Sequence, residues 1–269
     1  MYGPWVRVPA SSLLNLSYLG GFLFSLIFFM HSVYFKDLGI IDYKSAWDLQ
    51  EKLLQENVAV KTALRLQPEN KNQITTNHYF LLCEHTPVYT LGKSGDMANV
   101  LLTENELVEK NIEFFKTNRG GDITFHGLQQ IVGYPILDLE KIYTDIGKYL
   151  RNLEEVIIQT IAHYGIIGER SSGETGVWIQ PGVKGKERKI CAIGVRCSRW
   201  ITMHGFALNV NTDLDYFKNI IPCGIQDKQV TSIKNELGTA VDYEEVKTLI
   251  KTNFEKIFAA ELLQSNIVL

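Results

Sequence analysis

Apolar residues recur along this chain at two periods, and the longer period predicts three long helices. The first is predicted after Asp42, which can cap it. The second is predicted over residues 144–164 and ends at Gly165, while the third opens at Asp242 with Glu245. The apolar face of the first helix comprises Tyr43, Ala46, Trp47, Leu53 and Leu54.

Shorter apolar runs between these helices predict strands. The runs cover residues 79–83, 131–137, 177–180, 189–195 and 201–210. Pro135 lacks a backbone donor, so its strand is expected at an edge or a bulge. Thr103 and Glu106 have the spacing of a capping box, which predicts a further short helix. Alternating strands and helices indicate an α/β or α+β domain.

Composition narrows the functional classes without choosing among them. The 269 residues are 45% hydrophobic and 21% charged, enough to bury the core of one large domain. The formal net charge of -3 gives no reason to expect an overall nucleic-acid binder. Any basic binding surface must therefore be local.

The amino-terminal segment differs from the rest of the chain, because residues 8–30 carry no charge and end in a strongly apolar run. Three interpretations stay open: a start at Met30, a membrane anchor, or an exported protein. We therefore predict an apolar extension over residues 1–30, followed by one catalytic domain over residues 31–269.

The four cysteines lack CxxC spacing, so the sequence favours neither a zinc site nor a redox pair. Two disulfides are a weak alternative for a chain that can stabilise itself by its core. Cys83 and Cys191 lie in apolar strands and Cys197 follows at a strand end, so we interpret all three as structural.

Cys223 differs because Pro222 and Gly224 place it in a sharp turn, where a thiol can be reached. Lys189 begins an otherwise apolar strand, where a partly buried ammonium needs a negative partner. A Lys189–Cys223 ion pair would satisfy both groups. The alternative is that Lys189 ends the charged loop 184–189 and points to water.

The sequence RGGDITFH at 119–126 predicts a turn that leads into polar side chains. Its continuation through Thr124 and His126 favours a substrate-facing loop over a basic tail. His126 and His204 are each candidates for an acid, a base or a ligand, although a structural histidine is the commoner outcome. No cluster of histidines with acidic residues has metal-ligand spacing.

The RGGDITFH block and its continuation QIVGYPILDL at 130–139 resemble the signature of the lipoyl(octanoyl) transferases. The similarity extends in the family's order over most of the chain after Val33. The further blocks are FKDLG at 35–39, HTPVYT at 85–90, KICAIG at 189–194, MHGFALNV at 203–210 and IPCGI at 221–225.

The resemblance implies an α/β domain of the biotin/lipoate protein ligase type, with a mixed sheet flanked by helices. It implies transfer of an octanoyl group from acyl carrier protein to a lysine of a lipoyl domain, without ATP, metal or another cofactor. Lipoyl domains of 2-oxoacid dehydrogenase E2 subunits and the glycine cleavage H protein are the expected acceptors, and the cytoplasm is the expected compartment.

The same resemblance assigns roles to individual residues. Cys223 is expected to carry the acyl group as a thioester, and Lys189 to lower the pKa of its thiol. We further expect Lys189 to accept a proton from the attacking lysine. The residues expected to bind the acyl substrate are Arg119, Gly120, Gly121, Asp122, Ile123, Thr124, Phe125, His126, Ala192, Ile193, Gly194, Gly205, Phe206 and Ala207.

One departure from the family lies in the signature itself, where Leu128-Gln129 replaces the usual Pro-Gly. This change leaves the shape of the loop and the acyl-chain preference open. Two other functions stay open as well: an ATP-dependent lipoate or biotin ligase, and a silent protein that binds acyl carriers or lipoyl domains. Lys184, Lys186 and Arg188 are candidates for docking an acidic partner.

Overall fold

A computed structural model describes residues 31–67, 69, 74–221, 229–265 and 267 of the chain. The extension at residues 1–30 therefore lies outside the described residues. The helices and strands are β1 (His31–Ile41), α1 (Tyr43–Leu66), β2 (His78–His85), β3 (Val88–Leu91), α2 (Glu104–Glu109), β4 (Glu113–Lys116), β5 (Ile123–His126), β6 (Gln130–Ile136), α3 (Ile146–Ala162), β7 (Glu169–Ser171), β8 (Glu174–Ile179), β9 (Arg188–Ser198), β10 (Ile201–Asn209), β11 (Gln229–Val230), α4 (Ile233–Leu237), α5 (Tyr243–Phe258) and β12 (Ala260–Gln264).

Most of these strands form one mixed sheet in the order β12-β1-β2-β6-β10-β9-β8-β7, with β11 paired to β9. β1 runs parallel to both β2 and β12, and β11 runs parallel to β9. From β2 to β7, neighbouring strands in the sheet order are antiparallel. The predicted α/β class with a mixed sheet is therefore confirmed.

Helices cover both faces of this sheet, because successive side chains of its central strands point to opposite sides. On one face Ile131 and Leu208 pack in a buried cluster with α3 and α5. On the other face Val132 and Ala207 pack in a second cluster with α1. The functional site lies on the α1 side.

A second sheet, in the order β4-β3-β5, lies apart from the main sheet. Its core is a cluster that includes Tyr89 and Phe125. The ring of Phe125 stacks on Tyr216 with a centroid distance of 4.5 Å. The loop that carries the RGG sequence enters this small sheet at β5.

The helix starts follow the predicted caps. The side chains of Asp42 and Asp242 each accept hydrogen bonds from the first turn of their helices. Thr103 and Glu106 form the predicted capping box of α2. The helix predicted over 144–164 is α3, capped by Asp145, and Gly165 follows its end in a left-handed conformation.

The strand that carries Pro135 is not an edge strand as a whole, since β6 lies between β2 and β10. Proline is accommodated because the β6–β10 pairing stops at Gly133, before it would need the missing N–H. The Thr202 hydroxyl links β10 to the end of β6 instead, because it donates to Pro135 O at 2.8 Å and accepts from Leu137 N at 2.9 Å.

β12 is among the strands that the sequence pattern missed, and its short run Ala260–Gln264 pairs with β1. Among the helices of the described residues, none is both long and apolar enough to cross a bilayer.

Candidate functional site

A cavity of about 570 Å³ opens beside the main sheet, between β8, β9, β10, β6 and the 119–126 loop. Its floor follows the two-residue period of the strands. Gln130, Val132 and Tyr134 of β6 all line it, and Ala207 and Asn209 of β10 do so beside them. The cavity therefore occupies one face of the sheet.

A bulge in β9 brings Lys189 to this same face. Trp178 pairs with Lys189, whereas the preceding Val177 pairs with Cys191, so Ile190 is an extra residue. Ile190 and Cys191 are both fully buried in the core, while Lys189 and Ala192 line the cavity. In a regular strand, residues three apart would face opposite sides. Without the bulge, Lys189 would not share a face with Ala192.

The RGG loop closes one wall of the cavity. The buried Arg119 guanidinium donates to the Thr90 carbonyl at 2.6 Å and to its hydroxyl at 3.0 Å. Gly121 adopts a left-handed φ of 84°, which a side chain would strain. The loop also crosses β9 closely, since a Cβ on Gly194 would lie 2.8 Å from the Gly120 carbonyl oxygen. Both glycines are thus required by geometry.

His126 is held by partners on both ring nitrogens. Its Nδ1 lies 2.9 Å from the Oε1 of Gln130, and its Nε2 lies 3.3 Å from the Thr90 hydroxyl. The Gln130 amide nitrogen donates to Asn209 Oδ1 at 2.8 Å, which fixes the amide orientation and so places the His126 proton on Nδ1. Burial, with His85 and Arg119 nearby, holds the pKa of His126 well below its usual range. His126 therefore lines the cavity as a neutral imidazole.

His126, Gln130 and Asn209 form a chain of hydrogen-bonded buried side chains, here called the relay, which continues beyond Gln130. The Asn209 amide nitrogen donates to the Thr231 carbonyl at 3.0 Å. Thr231 N in turn donates to Lys189 O at 3.0 Å. The relay connects the RGG wall to the strand that carries Lys189.

His204 lines the cavity next to Arg119, with a left-handed φ of 58°. Its Nε2 lies 2.7 Å from Asn118 Oδ1, and its buried Nδ1 makes no hydrogen bond within the described residues. Burial, with the nearby charges of Arg119 and Arg196, lowers the pKa of His204 to about 3. A neutral imidazole at this position does not act as an acid near neutral pH.

Lys189 lies inside the cavity, with its side chain 14% exposed, so the alternative in which it points to water is wrong. Its Nζ is 3.7 Å from Glu174 Oε2 and 4.5 Å from the centre of the Trp178 ring. A carboxylate and an aromatic face both stabilise a positive charge. The site thus holds a cation at a defined place.

The structure brings together nearly all of the side chains predicted to bind substrate. With Lys189, all of them line the cavity except Phe125. Phe125 points into the core of the small sheet, because it alternates with Thr124 and His126 along β5. Cys223, with its neighbours Pro222 and Gly224, lies outside the described residues.

Sequence reasoning missed several lining residues. Gln130 was detectable as a polar residue at the start of an apolar strand. Glu174 and Trp178 carried no local signal, since only the β8–β9 pairing brings them to Lys189.

The other cysteines separate by burial. Cys83 and Cys191 lie in the core, and burial raises the pKa of each thiol. The structural interpretation of Cys197 is wrong in part, because this thiol is exposed at the end of β9. All three are free thiols.

Sequence comparison places the chain in a known protein family. The profile of the lipoyl protein ligase A/B catalytic domain matches residues 42–255. An octanoyltransferase of Christiangramia forsetii is 57% identical over 228 residues, covering 84% of this chain and 96% of that protein. The chain belongs to the octanoyltransferases. One from Parabacteroides distasonis is 46% identical and is covered over its whole length.

Solved structures share the family's fold at much lower identity. A bi-partite lipoate protein ligase from Thermoplasma acidophilum superposes with a TM-score of 0.63 at 15% identity, covering 89% of this chain and 88% of that one. A lipoate-protein ligase A bound with ATP gives 0.61 at 13%, covering 89% and 90%. These likenesses confirm the lipoate-ligase type of fold and carry no statement about activity.

The departure from the family signature is accommodated locally. Gln129 adopts a left-handed φ of 60°, the conformation that the usual glycine would permit. Its N–H donates to Glu84 Oε2 at 2.6 Å, and its carbonyl accepts from the Thr212 hydroxyl at 2.9 Å. These hydrogen bonds hold Gln129 in the conformation. Leu128 beside it is 47% exposed.

Proposed function

We propose that this octanoyltransferase moves an octanoyl group from octanoyl-acyl carrier protein to a lysine of a lipoyl domain, through a thioester on Cys223. The observation that carries the proposal is the cavity itself. It combines small, mostly apolar lining at Ala192, Gly194 and Ala207 with a stabilised cation at Lys189. This arrangement suits an acyl chain whose reactive end lies beside a charged group.

The first half-reaction exchanges one thioester for another. The Cys223 thiolate attacks the carbonyl carbon of the carrier's thioester, and a new C–S bond forms as the carrier's C–S bond breaks. The carrier leaves as a thiolate, which takes up the proton that Cys223 gave up. A free thiol with a pKa of about 8.5 is mostly protonated near neutral pH. Lys189 would lower that pKa as its neighbouring cation. Because the exchanged bonds are alike, the step needs no ATP.

The chain flanking Cys223 supports its approach to Lys189. The described residues stop at Ile221 and resume at Gln229. On the near side Phe217 lines the cavity, and on the far side Gln229 and Val230 line it and pair with Arg188 and Lys189. Both flanks thus border the same cavity.

The second half-reaction transfers the acyl group to the acceptor amine. The amine attacks the thioester carbon, a C–N bond forms, and the Cys223 sulfur leaves. Backbone N–H groups of the RGG loop are candidates to stabilise the intermediate oxyanion. An amide is more stable than a thioester, so this step runs downhill.

Acidic carrier proteins and lipoyl domains would be attracted by the exposed lysines of the loop before β9. Lys184 and Lys186 are exposed there. Arg188 is a weaker candidate than its two neighbours, because it is held by Glu236 at 2.5 Å. E2 subunits and the glycine cleavage H protein are the proposed acceptors, and the cytoplasm is the proposed compartment.

Octanoyl transfer without ATP tests the proposal against the ligase alternative. Octanoyl-acyl carrier protein and a lipoyl domain would be mixed with the wild-type chain, with Cys223→Ser, or with Cys197→Ser as the matched exposed cysteine. We expect octanoylated lipoyl domain from the wild type and Cys197→Ser alone. Transfer by Cys223→Ser, or transfer from free octanoate only when ATP is added, would contradict the proposal.

A further inference from the structure

The cation at Lys189 has a carboxylate beside it that the proposed mechanism has not yet used. Glu174 Oε2 lies 3.7 Å from Lys189 Nζ, both residues line the cavity, and the Glu174 side chain is 19% exposed. The separation exceeds that of a hydrogen bond, so the pair interacts mainly through charge. Glu174 is close enough to the cation to act with it and open enough to meet a second molecule.

Glu174 is held in this place by its strand. β8 pairs with β7 on one side and with β9 on the other. Two residues after Glu174, the Gly176 N–H donates to the buried Glu154 carboxylate at 3.1 Å. Glu154 is itself held by Arg151 at 2.6 Å and Arg170 at 3.2 Å. The start of β8 is therefore anchored to α3.

The acceptor presents a specific difficulty at this site. A free lysine side chain has a pKa of about 10.4 and arrives as an ammonium near neutral pH. Lys189 would already be there as a cation stabilised by Glu174 and Trp178. Two like charges in a partly desolvated cavity repel each other.

We propose that Glu174 is a catalytic residue of the second half-reaction, where its carboxylate binds the acceptor ammonium and holds the nitrogen in place while its first proton passes to water. This inference rests on the proposed function. The neutral amine then attacks the thioester carbon, the C–N bond forms as the C–S bond breaks, and the second proton passes from nitrogen to the departing sulfur of Cys223. The products are the amide and the free thiol, and Glu174 stays a carboxylate throughout.

The test separates the half-reactions and compares two nucleophiles. The full chain would be acylated with octanoyl-acyl carrier protein, freed of the carrier, and mixed with either a lipoyl domain or hydroxylamine, which is uncharged at neutral pH. The variants are Glu174→Gln and Glu174→Asp. Glu169→Gln is the matched control, because Glu169 is an exposed carboxylate on the neighbouring β7 that does not line the cavity.

We expect Glu174→Gln to slow transfer to the lipoyl lysine about tenfold, the effect of one charge at this distance in a partly exposed site. Acyl-enzyme formation and the reaction with hydroxylamine should stay within about twofold of wild type. Glu174→Asp should recover part of the transfer rate, and Glu169→Gln should match wild type. Added salt should reduce the wild-type advantage.

Equal slowing with both nucleophiles would make Glu174 a structural residue and overturn the inference, as would transfer by Glu174→Gln at the wild-type rate. Both results leave the thioester mechanism intact. If the wild-type chain itself forms no acyl-enzyme, the proposed function fails and the inference fails with it.

Discussion

Replacing Gln130 with methionine removes the central amide of the relay beneath the cavity while keeping a side chain of similar length. Gln130 is 1% exposed. Its amide contacts His126 Nδ1 at 2.9 Å, Asn209 Oδ1 at 2.8 Å and Phe125 O at 3.1 Å. The substitution leaves up to three buried polar groups without this partner. Each such group costs about 1–3 kcal/mol, and partial relaxation reduces the sum.

We therefore expect Gln130→Met to lower the free energy of unfolding by about 3 kcal/mol. Denaturant unfolding measures this directly. A shift of about 2–4 °C per kcal/mol predicts a fall in Tm of roughly 6–12 °C. Gln55→Met is the matched control, because Gln55 is an exposed amide on α1 that donates to Glu51 at 2.8 Å. It should change the free energy of unfolding by less than about 0.5 kcal/mol.

A loss below about 1 kcal/mol for Gln130→Met would refute this reasoning, since it would mean that the relay is not fixed by its hydrogen bonds. A loss as large for Gln55→Met would refute it equally. The relay also ends at Thr231, whose N–H binds Lys189 O. Gln130→Met should therefore slow acyl-enzyme formation as well as destabilise the fold.

Three further predictions concern pH, the loop crossing and the signature loop. Burial lowers the pKa of the four histidines in the interior, so the unfolded chain binds protons below about pH 6.5 that the folded chain does not. The free energy of unfolding should therefore fall as the pH drops from 6.5 to about 4, by at most about 1.4 kcal/mol per pH unit for each histidine. Equal denaturation midpoints at pH 7 and pH 5 would contradict this. Gly194→Ala places a Cβ 2.8 Å from the Gly120 carbonyl oxygen, so acyl-enzyme formation should slow at least about tenfold. An unchanged rate, measured by mass spectrometry, would show that the loop can move aside without loss of function. Gln129→Val forces a β-branched residue into a left-handed conformation and should lower the free energy of unfolding by about 2 kcal/mol, whereas Gln129→Gly should lower it by less than about 1 kcal/mol. Equal losses in denaturant unfolding would mean that the φ angle is not the constraint. The four histidines are His78, His85, His126 and His204, with pKa values of about 4, about 4, well below the usual range, and about 3.

Local chemistry made the long helices and the five central strands of the main sheet, β2, β6, β10, β9 and β8, predictable from the sequence. Asp42, Asp242 and the Thr103–Glu106 box satisfy donors within their own first turns, so no distant partner is needed. The surroundings of Pro135 were less predictable, because they depend on where β10 leaves its pairing with β6. That choice is made by tertiary packing, which local propensity does not contain.

The candidate site was predictable as a set of residues, and its geometry was not. Nearly all of the residues that the signature blocks predicted to bind substrate line the cavity. The direction of Lys189 depends on the bulge at Ile190, which follows from the pairing of β8 with β9. Glu174 lies beside Lys189 because β8 and β9 are neighbouring strands, although the two residues are fifteen positions apart in sequence. No sequence spacing predicts a contact at that separation. Phe125 failed because a motif does not record the alternation of side chains along β5.

The central claim is that Cys223 carries the acyl group, and intact-protein mass spectrometry after brief mixing with octanoyl-acyl carrier protein tests it most directly. The chain can be started at Met30 for this purpose, and the same adduct should then be mapped to a peptide. The account predicts one octanoyl adduct on Cys223, removable by hydroxylamine, formed by wild type and Cys197→Ser and absent from Cys223→Ser. A folded wild-type chain that forms no adduct, or one that carries it on another residue, would contradict the account.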